Sequence, residues 1–108
     1  MRVSAETLLF KTLADPTRRA LFERLAREGE LTVSALTQRA AVSQPAVSQH
    51  LEALRRAGLV TNRREGRTAH YRANLRGLAP LTNWLALYRV FWRERFDKLE
   101  QMLKEMDQ

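Results

Sequence analysis

Four neutral polar side chains near residue 45 could form hydrogen bonds with the edges of DNA bases. They belong to the run S-Q-P-A-V-S-Q-H and are Ser43, Gln44, Ser48 and Gln49. Glutamine can form two hydrogen bonds with adenine, and a serine hydroxyl can bond to several bases. His50 follows directly, and we expect it to pack or to form a hydrogen bond, with a DNA phosphate as one candidate partner. The run predicts a DNA-reading segment; the alternative is an ordinary solvated helix face.

Arginines follow these residues and supply positive charge for phosphate contacts. Residues 43–76 contain seven arginines and two acidic residues, so this segment carries +5 of the net charge of +7. We predict DNA contacts for Arg55 at the end of the helix and for three hairpin arginines, which could bond phosphates or enter a narrow minor groove. These three are Arg63, Arg64 and Arg67. The alternative is an edge hairpin that charge keeps soluble.

A helix followed by a hairpin must position these side chains. Ser43 is a suitable N-cap, and Val47, Leu51 and Leu54 recur at helical spacing and should be buried. Gly58 should end this helix. Two strands, 59–64 and 67–73, should follow, with Glu65 and Gly66 as the tight turn between them because glycine tolerates a positive φ.

Three helices are predicted before the DNA-reading helix and one long helix after the hairpin. The first runs from Ser4 to about Leu13, and the second begins at Asp15-Pro16 and ends at Gly29. Leu31 could form a very short strand, and Thr32 should cap the third helix. The last helix should run from about 78 to 106. This order predicts a mainly α fold with a small β-hairpin wing, a winged helix-turn-helix of order α1-α2-α3-α4-β-β-α5.

The last helix has a wide apolar stripe that a domain of this size cannot cover alone. A second chain is the simplest partner, with the first helix packed beside the stripe. We therefore predict a homodimer, and its two-fold symmetry predicts an inverted-repeat operator in double-stranded DNA. The interface residues predicted are Leu8, Leu9, Leu81, Trp84, Leu85, Tyr88, Phe91, Trp92 and Leu99. Two alternatives remain: the stripe folds back on its own domain, or four aromatic residues (Trp84, Tyr88, Phe91 and Trp92) line a small-molecule pocket.

Composition excludes several other classes of protein. The 108 residues predict one domain, 1–108, and the sequence pI of about 11.0 is typical of nucleic-acid binding. The absence of cysteine excludes disulfides and thiolate metal sites. We expect no metal or other cofactor, no signal peptide, no membrane span and a cytoplasmic location. No nucleophile–base pair or phosphate-binding loop is present, so we predict that the protein is not an enzyme.

Three segments together resemble the ArsR/SmtB family of bacterial winged-helix repressors. They are L-A-D-P-T-R-R-A-L-F-E-R-L (13–25), S-Q-P-A-V-S-Q-H-L-E-A-L-R-R-A-G-L-V (43–60) and R-R-E-G-R-T-A-H-Y (63–71). The resemblance implies a homodimer built from the first and last helices, with the helix at 44–57 in the major groove and the hairpin as a wing. It also implies DNA-facing positions for Ser43, Gln44, Ser48, Gln49 and His50.

The chain departs from the metal-sensing members of that family. It has no cysteine, and neither histidine lies on the last helix. It is similar to cysteine-free members with an aromatic-rich last helix, which often repress their own operon. The effector is unknown at this point, and a winged-helix module that binds protein remains an alternative to a regulator of transcription.

Overall fold

The first two helices meet at Asp15. The computed structural model describes residues 3–107; in it α1 spans Ala5–Ala14 and α2 spans Pro16–Glu28. Asp15 accepts hydrogen bonds from two backbone N–H groups in the first turn of α2, at 2.9 and 3.1 Å. These bonds favour the ionised carboxylate and lower the pKa of Asp15. The predicted start of the second helix is confirmed.

Two further helices form the helix-turn-helix. They are α3 (Val33–Gln38) and α4 (Gln44–Arg56). The side-chain oxygens of Thr32 and Ser43 accept hydrogen bonds from the first turns of these helices, at 3.1 and 3.4 Å. Both predicted caps are therefore present. Gly58 follows α4 with a φ of 79°, a conformation that favours glycine and turns the chain toward the hairpin.

Three antiparallel strands form a small sheet of order β1-β3-β2. They are β1 (Leu31–Thr32), β2 (Val60–Glu65) and β3 (Thr68–Ala73). The short strand predicted at Leu31 is confirmed, since it pairs with Tyr71.

The predicted hairpin turn was wrong by one residue. Glu65 pairs with Thr68, so that the turn consists of Gly66 and Arg67 and not of Glu65 and Gly66. Gly66 has a φ of 63°, whereas Arg67 has no positive φ. A glycine at the first turn position is typical of a type II′ turn, which matches the twist of the two strands.

The long last helix predicted from about residue 78 to 106 was wrong, because the structure divides it. A 3-10 helix (Leu75–Leu78) leads into α5 (Ala79–Ala86), and α6 (Arg89–Met106) follows. Between α5 and α6 the helix tightens, since Leu87 N donates to Trp84 O at 3.2 Å and Tyr88 N donates to Leu85 O at 3.0 Å. These bonds span three residues and not four, so that the regular helix is interrupted between α5 and α6. None of the helices in residues 3–107 is long and apolar enough to cross a membrane.

The segment after the hairpin is joined to the end of the DNA-reading helix by backbone contacts. Asn74 Nδ2 donates to Gly58 O at 3.0 Å, and Asn74 N donates to Leu59 O at 2.8 Å. Gly77 lies so close to Gly58 that a Cβ built on it would be 2.0 Å from Gly58 O. This junction fixes how α5 leaves the domain relative to α4.

The core lies between α2, α4 and the sheet, with α1 and α3 closing its sides. All three positions predicted to be buried on α4 are fully buried, and Leu21, Phe22, Leu25 and Leu36 join them. The buried hydrophobic residues are Leu9, Leu21, Phe22, Leu25, Leu36, Val47, Leu51, Leu54, Leu59, Val60 and Tyr71. Burial of this set fixes α4 against α2, so that its polar face points outward.

Candidate nucleic-acid interface

The outward face of α4 presents the predicted base-reading residues. Gln44, Ser48 and Gln49 are exposed, while Val47 and Leu51 on the opposite side have no exposed surface. Ser43 is also exposed, but its hydroxyl accepts the capping hydrogen bond from Ala46 N. Polar side chains at the N-terminal end of such a helix are well placed to contact base edges.

A polar groove connects this face of α4 to the wing. α4 contributes Gln44 and Ser48 to its lining, and the wing contributes Arg64 and Arg67. Its volume is about 600 Å³. Four of the nine predicted DNA-binding residues thus line one groove, which combines neutral hydrogen-bonding groups with two guanidinium groups. This arrangement can bind base edges and phosphates at the same time.

Three polar groove residues were missed by the sequence analysis. Thr32 and Ser34 lie at the start of α3, and Thr68 is the first residue of β3. Hydroxyl side chains at the start of a helix are commonly interpreted as caps, which is the role that was assigned to Thr32. Thr68 carried no signal in the sequence, because its place beside the groove depends on the pairing of β3 with β2.

Arg63 lies on the opposite face of the hairpin from Arg64. Successive residues of a strand point to opposite faces, and Arg63 pairs with His70 in the register that pairs Arg64 with Ala69. Arg63 Nη2 donates to Glu30 Oε1 at 2.7 Å, and its Nη1 donates to Glu65 Oε2 at 3.2 Å. The predicted DNA contact of Arg63 implied a place in the groove. The structure instead places this residue on the other face of the hairpin.

His50 and Arg55 also contact protein groups outside the groove. His50 Nδ1 accepts a hydrogen bond from Arg18 Nε at 3.2 Å, which joins α4 to α2. Arg55 donates two hydrogen bonds to Glu52, at 2.9 and 2.6 Å, and these bonds lower the pKa of the Glu52 carboxyl. His50 is half-buried against α2, and the positive charge of Arg55 is partly balanced by Glu52.

The aromatic and aliphatic residues of α5 and α6 form a second exposed surface. None of the residues of α6 is buried, and Trp92 is 52% exposed. The ring of Trp84 packs edge to face against Phe10 of α1 and against Tyr88, at centroid distances of 5.3 and 5.2 Å. Seven of the nine predicted interface residues are exposed, namely Leu8, Trp84, Leu85, Tyr88, Phe91, Trp92 and Leu99.

The other two predicted interface residues lie toward the interior. Leu9 is 1% exposed and belongs to the core, because α1 turns this side toward α2. Leu81 is half-buried and packs against the same core. Leu9 therefore cannot contribute its side chain to a surface between chains.

The described part of the chain holds no group of three histidine, cysteine, aspartate or glutamate side chains arranged to bind a metal ion. His70 lies 3.7 Å from both Glu30 and Glu65, but it approaches them with different ring nitrogens, Nδ1 and Nε2. Two ring nitrogens of one histidine point in different directions and cannot bind the same ion.

Known proteins that are similar to this chain are transcription regulators. Residues 13–63 match a helix-turn-helix domain family. The chain is 36% identical over 100 residues to the arsenical resistance operon repressor of Escherichia coli. The aligned region covers 91% of this chain and 81% of that protein. It is 48% identical over 65 residues to the arsenic resistance transcriptional regulator ArsR1 of Pseudomonas putida, covering 60% of this chain and 51% of the relative. The match therefore spans about half the length of that relative.

Solved structures agree with this comparison. An ArsR-like transcriptional regulator from Rhodococcus sp. RHA1 superposes with a TM-score of 0.70 at 30% sequence identity. The superposition covers 91% of this chain and 92% of that structure.

Proposed function

Because this chain belongs to the ArsR family of DNA-binding transcription regulators, we propose that it is a homodimeric repressor, a single domain that binds an inverted-repeat operator in the bacterial cytoplasm. The family consists of regulators and not of enzymes. The observation that carries the proposal is the groove that Gln44 and Ser48 of α4 line together with Arg64 and Arg67 of the wing.

The residues that α4 and the wing contribute to this groove have different tasks in the proposed complex. The amide of Gln44 and the hydroxyl of Ser48 contact base edges when α4 enters the major groove, and exposed Gln49 extends this surface. Arg64 and Arg67 contact phosphates or the adjacent minor groove. Sequence preference then comes from α4, and most of the salt-dependent affinity comes from the wing.

Dimerisation is supported by the exposed apolar surface of α5 and α6. A run of large side chains left in water is typical of a surface that another protein covers. Trp92, Phe96, Leu99, Leu103 and Met106 recur at alternating steps of four and three residues, the spacing of a helix that packs along a second helix. A two-fold dimer presents two copies of α4, so its operator contains two half-sites about 34 Å apart.

Selection from random duplex DNA tests the proposed DNA specificity. The purified protein is used to select from the pool, and the winning sequence is titrated against a scrambled duplex over a range of salt concentrations. The expected winner is an inverted repeat that binds much more tightly than the scramble. Salt-sensitive binding without sequence preference would contradict the base-reading task of Gln44, Ser48 and Gln49.

Replacement of one apolar residue tests the proposed dimer. Trp92→Glu should shift the protein from dimer to monomer in sedimentation velocity, because the new carboxylate would be desolvated between the chains. Gln101→Glu is the matched control, since Gln101 is exposed on the opposite face of α6 and the variant gains the same charge. A wild-type protein that sediments as a monomer, or a Trp92→Glu variant that stays dimeric, would overturn the proposed interface.

A further inference from the structure

Arg63 lies between two carboxylates on the face of the hairpin that points away from the DNA groove. Its guanidinium group forms a fork with Glu30, since Nε and Nη2 donate to that carboxylate at 3.1 and 2.7 Å. Its Nη1 donates to Glu65 at 3.2 Å. The ring of His70 lies 3.7 Å from each carboxylate and completes the cluster. The two strands of the wing and the loop before β1 therefore meet at these two carboxylates.

Glu30 lies in a different part of the fold from the wing. It belongs to the short connection between α2 and β1, directly after Gly29, and is 33 residues from Arg63 in the sequence. The hydrogen bonds from Arg63 lower the pKa of the Glu30 carboxyl, so that it is ionised at neutral pH. A planar, two-bonded contact of this kind restricts direction as well as distance. It therefore links the orientation of β2 to the end of α2.

Arg64 is the next residue along β2 and points to the opposite face, into the groove beside Gln44 and Ser48. Because neighbouring residues share one peptide unit, a rotation of the strand that moves Arg63 also moves Arg64. We propose that Glu30 and Arg63 are positioning residues that hold the wing at the angle at which Arg64 and Arg67 reach DNA. This proposal rests on the proposed function and assigns Arg63 no phosphate contact of its own.

The charge of Glu30 makes the proposal testable by the sign of an effect. Glu30→Gln removes a negative charge, and through electrostatics alone it should tighten the binding of DNA. If the carboxylate positions the wing, the same variant should instead bind the selected operator about two- to fivefold more weakly, the range expected when an exposed ion pair is lost. Glu23→Gln is the matched control, because Glu23 is an exposed acidic residue of α2 and the variant has the same net charge.

Two further variants separate positioning from phosphate contact. Arg63→Gln should weaken binding, and in a chain whose Arg64 and Arg67 are already alanine it should leave the slope of log affinity against log salt unchanged. Loss of a phosphate contact made by Arg63 itself would instead lower that slope by about 0.9. The double variant Glu30→Gln/Arg63→Gln should differ from Arg63→Gln only by the general charge effect that Glu23→Gln measures, since the partners act through one contact. Far-UV circular dichroism confirms that each variant is folded at the assay temperature.

The outcomes distinguish this inference from the proposed function. If the wild-type protein binds no operator specifically, the proposed function fails, and with it the positioning task of Glu30 and Arg63. If the wild type binds specifically but Glu30→Gln binds as tightly as Glu23→Gln, or Arg63→Gln lowers the salt slope in the chain that lacks Arg64 and Arg67, the positioning task is refuted while the proposed function remains.

Discussion

Replacement of Gly77 by alanine should strain the junction between the DNA-reading helix and the C-terminal helices. The new Cβ would lie 2.0 Å from Gly58 O, 2.8 Å from Gly58 C and 3.3 Å from Leu59 Cα. The nearest atoms are backbone, so the two segments must separate by about 1 Å before the shortest contact reaches 3.0 Å, below which real Cβ contacts are essentially absent. Side-chain rotation cannot relieve this contact.

The free energy of unfolding should fall by about 1–2 kcal/mol. Overpacking of a close contact costs about 1–3 kcal/mol. Replacement of glycine by alanine also lowers the conformational entropy of the unfolded chain, which stabilises the folded state by about 0.4–1 kcal/mol. For a chain of this size each kcal/mol corresponds to roughly 4–8 °C in Tm, so we expect Tm to fall by about 4–16 °C.

Thermal unfolding followed by circular dichroism measures this change, at one fixed protein concentration because association with a partner chain also affects Tm. Arg76→Ala is the control, since Arg76 is the exposed neighbour in the same 3-10 helix. A Tm for Gly77→Ala equal to or above that of the wild type would refute the close approach of Gly77 and Gly58.

Two further predictions concern charge. Arg64→Ala should lower the slope of log affinity against log salt by about 0.9 through loss of a phosphate contact, and fluorescence anisotropy at several salt concentrations would measure it; an unchanged slope would remove Arg64 from the DNA contacts. The pKa of Asp15 is lowered on folding, so its contribution to stability is present above its ordinary value of 3.8 and is lost as the pH falls through the lower folded value. Asp15→Asn keeps the cap but cannot titrate, so urea unfolding from about pH 5 to pH 2 should show a weaker loss of stability than in the wild type. Equal acid sensitivity of the two proteins would contradict the cause assigned to this pKa.

The sequence predicted those helices whose ends and buried sides depend on residues close together in the chain. The spacing of Val47, Leu51 and Leu54 defines the buried side of α4 and, by exclusion, the polar side that faces the groove. Short polar residues at Asp15 and Ser43 defined two helix starts, because their side chains bond to backbone only two or three residues away. These contacts do not depend on the rest of the fold.

The errors arose where the structure depends on a contact between residues far apart in the sequence, or where the local sequence fits two conformations equally well. Gly66 can supply the positive φ of a two-residue turn from either turn position, so the hairpin register was ambiguous by one residue. The break at Leu87 and Tyr88 contains neither proline nor glycine and has no local marker. The contact of Arg63 with Glu30 spans 33 residues and depends on the assembled sheet.

The two-residue turn at Gly66 and Arg67 limits how the wing can vary in evolution. Because side chains alternate between faces, insertion or deletion of a single residue in β2 would exchange the face of Arg64 with that of Arg63. Arg63 would then turn toward the groove and Arg64 toward the face of Glu30, so that the two arginines would exchange tasks. A change of two residues keeps the alternation and only lengthens or shortens the hairpin. Homologous proteins should therefore tolerate the insertion or deletion of an even number of residues in each strand. Such changes alter the length of the wing along DNA, while each arginine stays on its own face.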